Sequence, residues 1–380
     1  MRADGEPLRR WLSNLLRHRH RFGITRVGSL TRLDRVGVPV VQVVRPLALS
    51  NAVSQGKGVD MVSAAVSGIM ETIETWAAER IPEAASHVSK HSALSADWMK
   101  LFSPWADSVV HSGWEALDLP MIDGWDLVSN QRVPVPLALV DTIYTYPSPH
   151  PSVFPRVTTG LGAGASLVGA IVQGALEVLE RHALTRAYRT PYFYERFQID
   201  LSTIKDGPVA ALLQSLTQSG LLAAAWLANA PDTPPVYRCH VMEAEWPLEL
   251  APMPAEGSAC RFTSDEALLA ALLEACQARS AVIAGAREDM TRRIYPSVYE
   301  RERLAEWRDQ IRLPGSLPYE AERQTPPSPS TMLKAVVEAA VRAGARAVIV
   351  VPLYADDELG IYVVRVLAPP LHLWPSSRHG

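Results

Sequence analysis

The chain has 380 residues, 48% of them hydrophobic and 20% charged, which is enough apolar material for a sizeable core. Lys and Arg total 37 against 40 Asp and Glu; a formal net charge of −3 gives no bulk attraction to nucleic acid or an anionic membrane, and neither is expected as a partner. No run of 18 apolar residues argues for a membrane span, and Cys239, Cys260 and Cys276 are too scattered for a zinc site or a disulfide framework; three buried thiols suit a cytoplasmic protein.

Residues 1–22 form a basic arm whose apolar residues are interrupted, unlike a signal peptide. Leu8, Trp11, Leu12 and Leu15 share one helical face, so the arm is expected to dock on the body of the protein. Residues 23–46 read as a turn entering a buried strand near Val38–Val44, followed by "SQGKG" at 54–58. A lone GKG without Walker A spacing is a weak phosphate signal and otherwise reads as a flexible turn. Lys57 gains interest from the helix that follows it.

That helix has a counterpart. Residues 56–77 ("GKGVDMVSAAVSGIMETIETWA") align without a gap on residues 162–183 ("GAGASLVGAIVQGALEVLERHA"), with nine of 22 positions identical where chance gives about two. The shared residues include Glu71/Glu177 and Glu74/Glu180. At about 100° per residue, Ser67, Glu71 and Glu74 fall on one narrow strip, as do Gln173, Glu177 and Glu180. A solvated surface strip is the plain reading of either helix alone. Surface helices, however, carry mixed charges, whereas the two glutamates are the only charged residues from Met61 to Ala78, and again from Ser166 to Glu180. Carboxylates buried in such surroundings need a compensating charge, and a Mg²⁺ ion bridging them to phosphates supplies it.

Residues 81–132 are tryptophan-rich and read as a peripheral helix-and-loop region, and 133–146 as strand-like. After the second unit come a helix near 208–220, strands near 221–227 and 236–242, and a long helix near 265–284. A Pro/Ser-rich loop (313–330), a helix near 332–343 and strands at 346–351 and 360–367 complete the chain. The alternation predicts an α/β class with mixed sheets. In "EACQARSAVIAGARED" (274–289), Gln277, Arg279 and Arg287 sit on and just after an apolar helix; beside four glutamates the arginines suit bidentate phosphate contacts.

These stretches, in this order, resemble the YcaO family over most of residues 23–368: "GITRVGSLTRLDRVGVPV", "SQGKG", "SGIMETIE", "VQGALEVLER", "QARSAVIAGARED", and a final strand running into "APPL". The resemblance implies one α/β catalytic domain with internally duplicated loop–helix units around a nucleotide cleft, a basic arm at 1–22 and a tail at 369–380. It implies ATP and Mg²⁺ as cofactors, held by Glu71, Glu74, Glu177 and Glu180, with Lys57, Ser67, Gln173, Arg181, Gln277, Arg279 and Arg287 contacting the nucleotide. The implied activity is phosphorylation of a backbone amide oxygen in a precursor peptide, followed by attack of a nucleophile to give a thioamide, azoline or amidine. A homodimer is expected.

Three positions depart from the family pattern: Ala165 stands for an asparagine, Gly169 for a metal-site glutamate, and Thr75 for an arginine. The ending "APPLHLWPSSRHG" lacks the PxPxP of azoline-forming members and looks more like TfuA-associated or standalone members. No leader-binding domain precedes residue 23, so a separate recognition or TfuA-like partner is expected. The departures at 165 and 169 also admit an alternative, a non-catalytic scaffold that binds nucleotide or peptide for a partner enzyme.

Overall fold

The computed structural model describes residues 5–89, 100–106, 113–229, 233–245, 252–285, 287, 295, 300–320 and 328–373. Part of the Pro/Ser-rich stretch (321–327) and of the tail (374–380) lies outside the described residues.

Helix α1 (Gly5–His18) lays its apolar face on the body. Leu15 and the following Phe22 are fully buried, and Trp11 Nε1 donates to Leu359 O at 2.9 Å, so the basic arm is docked. Strands β1 (Arg26–Ser29), β2 (Val40–Val44) and β3 (Val53–Lys57) form an antiparallel sheet that ends on β3 and leads into α2 (Met61–Ala78).

Strands β4 (Ser86–Ser89), β5 (Leu119–Asp126), β6 (Gln131–Pro136), β7 (Leu161–Gly164), β13 (Ile349–Asp356) and β14 (Ile361–Leu367) make a six-stranded sheet. Its order is β4-β5-β13-β14-β7, with β6 beside β5. This corrects the expectation for residues 81–132. β5 is an interior strand with Met121 and Ile122 both buried, on opposite faces, and charged Asp123 interrupts its apolar run in sequence. The strand expected at 133–146 ends at Pro136, where a 3₁₀ turn (Leu137–Leu139) takes over.

α3 (Leu167–Tyr188) follows β7, and α4 (Phe193–Arg196), β8 (Ile199–Asp200) and α5 (Gly207–Gln218) lead to the third sheet. This sheet comprises β9 (Leu221–Leu227), β10 (Val236–Glu243) and β11 (Ala255–Cys260), in the order β11-β10-β9. α6 (Ser264–Ala284) packs across β10 and β11 through Ala267, Leu268, Ala271 and Leu272. It is the one helix among the described residues long and apolar enough to cross a membrane, and here that apolar surface forms core. α7 (Arg301–Arg312), β12 (Leu317–Pro318), which pairs with β8, and α8 (Pro329–Arg342) precede the last hairpin. The three cysteines are buried and free.

The glycines of the repeat do not form a turn. Gly56 lies in β3 against α2, where a Cβ would meet Gly68 N at 2.0 Å, and Gly162 lies in β7 against α3, where a Cβ would meet Gly174 N at 2.7 Å. In both units a strand and a helix approach closer than any side chain permits, which fixes where the helix's glutamates emerge.

Candidate nucleotide and metal site

β3, β7 and β11 are each the last strand of their sheet. An edge strand leaves backbone N–H and C=O groups that need partners when buried. Each of these strands leads into a long helix, and the three helices are capped by Asp60, Ser166 and Thr263. In each helix a glutamate stands eleven residues past the cap (60 to 71, 166 to 177, 263 to 274), with Glu74, Glu180 or Gln277 three residues later on the same face.

The first member of each pair is bonded beside its own strand. Glu71 accepts from the Gln55 backbone, Glu177 from Gly160 N at 3.2 Å, and Glu274 from the Ser258 backbone. The second member reaches the next unit. Glu74 accepts from Ala163 N at 2.8 Å; Glu180 accepts from Cys260 N at 3.2 Å and Ser258 Oγ at 2.7 Å; Gln277 Nε2 donates to Gln55 O at 2.9 Å. The contacts run from the first unit to the second, to the third, and back to the first. Three sheet edges are thereby satisfied, and six side chains are held in fixed orientation around one space.

That space is a cavity of about 620 Å³. Its acidic lining is Glu71, Glu74, Glu177, Glu180, Glu256 and Glu274, and its cations are Lys57, Arg181, Arg261 and Arg287. Charge is unevenly compensated. Burial pushes Glu71 up to about 7 against the pull of Lys57 and Arg287. Burial, then repulsion from Glu177 and Glu71, raises Glu74 well above the carboxylate range. Burial raises Glu177 as well, although Arg181 and Arg365 favour its ionised form. Glu274 moves the other way. Burial opposes its charge, but Lys57, whose Nζ lies 2.7 Å from Oε2, and Arg181 hold it below the usual value. Arg181 also pairs with Glu180 at 3.3 Å and Glu177 at 3.6 Å.

Positive charge entering the cavity would therefore favour ionisation of Glu71, Glu74 and Glu177 together. Among the described residues no three acidic, His or Cys side chains are placed to hold a metal unaided. Mg²⁺ characteristically takes one or two carboxylates and completes its shell with phosphate oxygens and water. The donor set fits a cation shared with a phosphate ligand, and Lys57, Arg181 and Arg287 face the same space.

The residues expected at the site thus sort into two groups. Glu71, Glu74, Glu177, Glu180, Lys57, Gln173, Arg181, Gln277 and Arg287 all line the cavity, although 106 residues separate the two copies of the glutamate pair. Ser67 and Arg279 are not among the lining residues. Arg279 is on the buried face of α6, where Nε donates to Asp34 and Nη2 donates to Glu243 at 2.9 Å; this triad fixes α6 to β10 and to the loop before β2. Glu274, Glu256 and Arg261 were missed. The cap-to-glutamate spacing shared with the other two helices would have found Glu274; no sequence pattern marks the other two.

The departures have structural counterparts. Thr75 Oγ1 accepts from Arg45 Nη2 at 3.2 Å, so an arginine from the end of β2 stands beside the position that lacks one. Arg45 is itself paired with buried Glu79. Gly169 is exposed in the first turn of α3, and a Cβ there would meet only Ser166 Oγ, at 3.1 Å. Space does not forbid a glutamate at 169.

The family model described as YcaO cyclodehydratase, ATP- and Mg²⁺-binding, matches residues 55–372. A relative from Rhizobium leguminosarum bv. trifolii, known as an uncharacterized protein in the tfuA 3′ region, is 27% identical over 379 residues, covering 95% of this chain and 87% of its own. Two solved structures share the fold. YcaO from Methanopyrus kandleri, bound with AMPPCP and Mg²⁺, has a TM-score of 0.70 at 24% identity, over 96% of this chain and 90% of its own. A heterocyclase in complex with substrate and cofactor has a TM-score of 0.72 at 17% identity, over 96% of this chain and 52% of its own.

Proposed function

The chain belongs to the YcaO family of ATP-dependent, Mg²⁺-binding cyclodehydratases, and from that premise we propose that it activates a backbone amide of a ribosomally made peptide by phosphorylating the amide oxygen. The observation that carries this reading is the closed ring of glutamates. Three helices and three sheet edges frame one cavity, in which α2 and α3 hold uncompensated carboxylates opposite phosphate-suited cations. When bound there, Mg²⁺ neutralises phosphate charge and fixes the triphosphate geometry.

In this reading Glu71, Glu74 and Glu177 are the cation ligands, while Glu180, buried and bonded to β11, holds Arg181 in place. Lys57, Arg181 and Arg287 take the phosphate oxygens, with Gln173 and Gln277 as further polar contacts. The amide oxygen attacks the γ-phosphorus and ADP departs. A nucleophile then adds to the amide carbon, and inorganic phosphate leaves with the former amide oxygen. Rigid positioning and preorganised charge, rather than covalent chemistry by the protein, supply the acceleration.

Among the possible products we favour a thioamide, with sulfide as nucleophile and a TfuA-like protein as partner. The support is the relative in the tfuA 3′ region. The scaffold alternative draws on Gly169, which places no carboxylate at the first turn of α3. Both are tested by incubating the protein with ATP, Mg²⁺, sulfide and synthetic peptides encoded by short reading frames beside its gene, with and without the TfuA-like protein. Oxygen exchanged for sulfur, with matching ADP, is the expected result. Loss of one water points to azoline or amidine closure. Binding of AMPPCP without ADP release or mass change in any peptide favours the scaffold.

A further inference from the structure

Among the described residues, the two most exposed large apolar side chains are Tyr146 (101%) and Leu47 (83%). Both lie within three residues of positions that line the cavity, Leu47 near Ser50 and Tyr146 near Tyr144. Leu47 and Leu49 lie in the loop joining β2 and β3, where Ser50 and Asn51 line the cavity wall. Tyr144 and Tyr146 lie in the loop after the 3₁₀ turn, where Tyr144 also lines the wall. Tyr144 N donates to Leu49 O at 2.8 Å, so the loops run side by side, and Leu47 and Tyr146 each stand two residues from that bond.

The second loop is anchored from below. Buried Asp141 accepts from His150 and from Arg156. Arg156 Nη2 also donates to Ile143 O at 2.7 Å, and its guanidinium lies 5.5 Å from the Tyr144 ring centroid. Two tyrosines are thus held outward on an ordered base. Scattered single apolar residues on a surface need no explanation, but a contiguous group at a cavity mouth does.

We propose that this rim receives the peptide substrate, and that it selects an extended segment with uncharged, apolar side chains flanking the amide to be modified. The proposal rests on the amide-activating reading of the cavity: an amide that reaches the phosphates must bring its neighbouring residues across the mouth. The chemistry of the rim decides which residues these are. Neither 46–51 ("PLALSN") nor 143–149 ("IYTYPSP") contains a charged residue, in contrast to the cavity below. Tyrosine supplies large contact area with few rotatable bonds and a hydroxyl for a peptide backbone. Tyr144 stands near Glu177, since both act on Arg365.

The test is a Leu47→Ser, Tyr146→Ser double variant, which changes only exposed side chains that do not line the cavity. Parent and variant are immobilised with AMPPCP and Mg²⁺, washed with a library of short synthetic peptides of mixed composition, and the retained peptides are identified by mass. The parent is expected to enrich peptides with apolar residues, and the variant to retain them about tenfold more weakly. AMPPCP affinity, read by calorimetry, is expected to agree within about twofold. Equal retention by both proteins, or no retention by the parent, overturns the proposal. So does a change from dimer to monomer in light scattering with peptide retention unaltered, which would give the rim to a second copy of the chain. Failure of AMPPCP to bind the parent is a separate result: it overturns the nucleotide reading of the cavity, whatever the peptides do.

Discussion

In α2 and α3 both members of the i, i+3 pair are carboxylates, whereas α6 carries Glu274 followed by Gln277. The backbone contacts of the three units are alike, yet their charge balance differs. Glu71, Glu74 and Glu177 are pushed toward their neutral forms, while Glu274 is stabilised as an anion by Lys57 and Arg181. One side of the ring is left in need of a cation, and the other closes on itself. The difference teaches that the same scaffold gives a ligand or a structural pair according to one neighbouring charge. Lys57, at the end of β3, is that charge.

The comparison is broken most directly by removing a charge from each side. Glu177→Gln is expected to lower peptide modification by about 100-fold or more, the scale of losing a group that acts on transition-state charge. The melting temperature of the unliganded variant should not fall, because an uncompensated carboxylate has been removed. Glu274→Gln should show the reverse pattern, a modest rate effect and a small loss of stability as Lys57 loses its partner. Equal effects of the two substitutions on rate and melting temperature would remove the asymmetry.

Converting the third unit into a copy of the others is the next test. In Gln277→Glu a carboxylate replaces the amide donor facing Gln55 O. Two acceptors then meet and a buried carbonyl loses its partner, which is expected to cost about 1–3 kcal/mol in denaturant unfolding. No loss would mean that the contact closing the ring carries no energy.

The pH dependence follows from the same imbalance. Glu71 has an ordinary value of 4.5 and a folded value of about 7, so between these limits the folded state binds more protons than the unfolded chain. Its contribution is complete below about 4.5 and is lost as pH rises through about 7; Glu74 and Glu177 act in the same direction. The unliganded protein should therefore melt lower at pH 8 than at pH 6, and Glu71→Gln should flatten that slope. AMPPCP with Mg²⁺ should stabilise more at pH 8, because the cation takes over the role of the protons. A slope unaltered by Glu71→Gln would contradict the assignment.

The smallest expected effect is at position 169. If position 169 faces a metal, as the resemblance implies, glycine would leave it with fewer protein ligands; a Cβ there would meet only Ser166 Oγ, at 3.1 Å. Gly169→Glu should lower the Mg²⁺ concentration needed for half-maximal activity a few-fold. A higher requirement would show that this position does not face the metal.

The first two units were legible because they kept the glycines that let β3 and β7 approach their helices, and identical residues betray a repeat. The third unit was not. Gly257 makes the same close contact with α6, but the rest of that helix shares geometry with the others rather than residues. What persists is the distance from cap to carboxylate, a quantity that only the fold makes meaningful. Arg279 shows the opposite failure. An arginine beside a glycine-ended helix suits a phosphate equally well in sequence, and only tertiary packing reveals Asp34 and Glu243 already bound to it. β5 is obscured in sequence because Asp123 and Gly124 break its apolar run. Tyr144 and Tyr146 fall in the stretch 133–146 that reads as strand-like in sequence, whereas the strand ends at Pro136 and leaves both in a loop beside the cavity.

The central claim is that the uncompensated glutamates of α2 and α3, and not Glu274, hold the cation that meets the nucleotide. A crystal structure with AMPPCP and Mn²⁺, with an anomalous map locating the metal, tests it most directly. The expected result is metal density within about 2.0–2.3 Å of carboxylate oxygens from Glu71, Glu74 or Glu177, with phosphates toward Lys57, Arg181 and Arg287 and the Lys57–Glu274 pair keeping the metal from Glu274. Metal bound by Glu274, or nucleotide density outside the cavity, would contradict it.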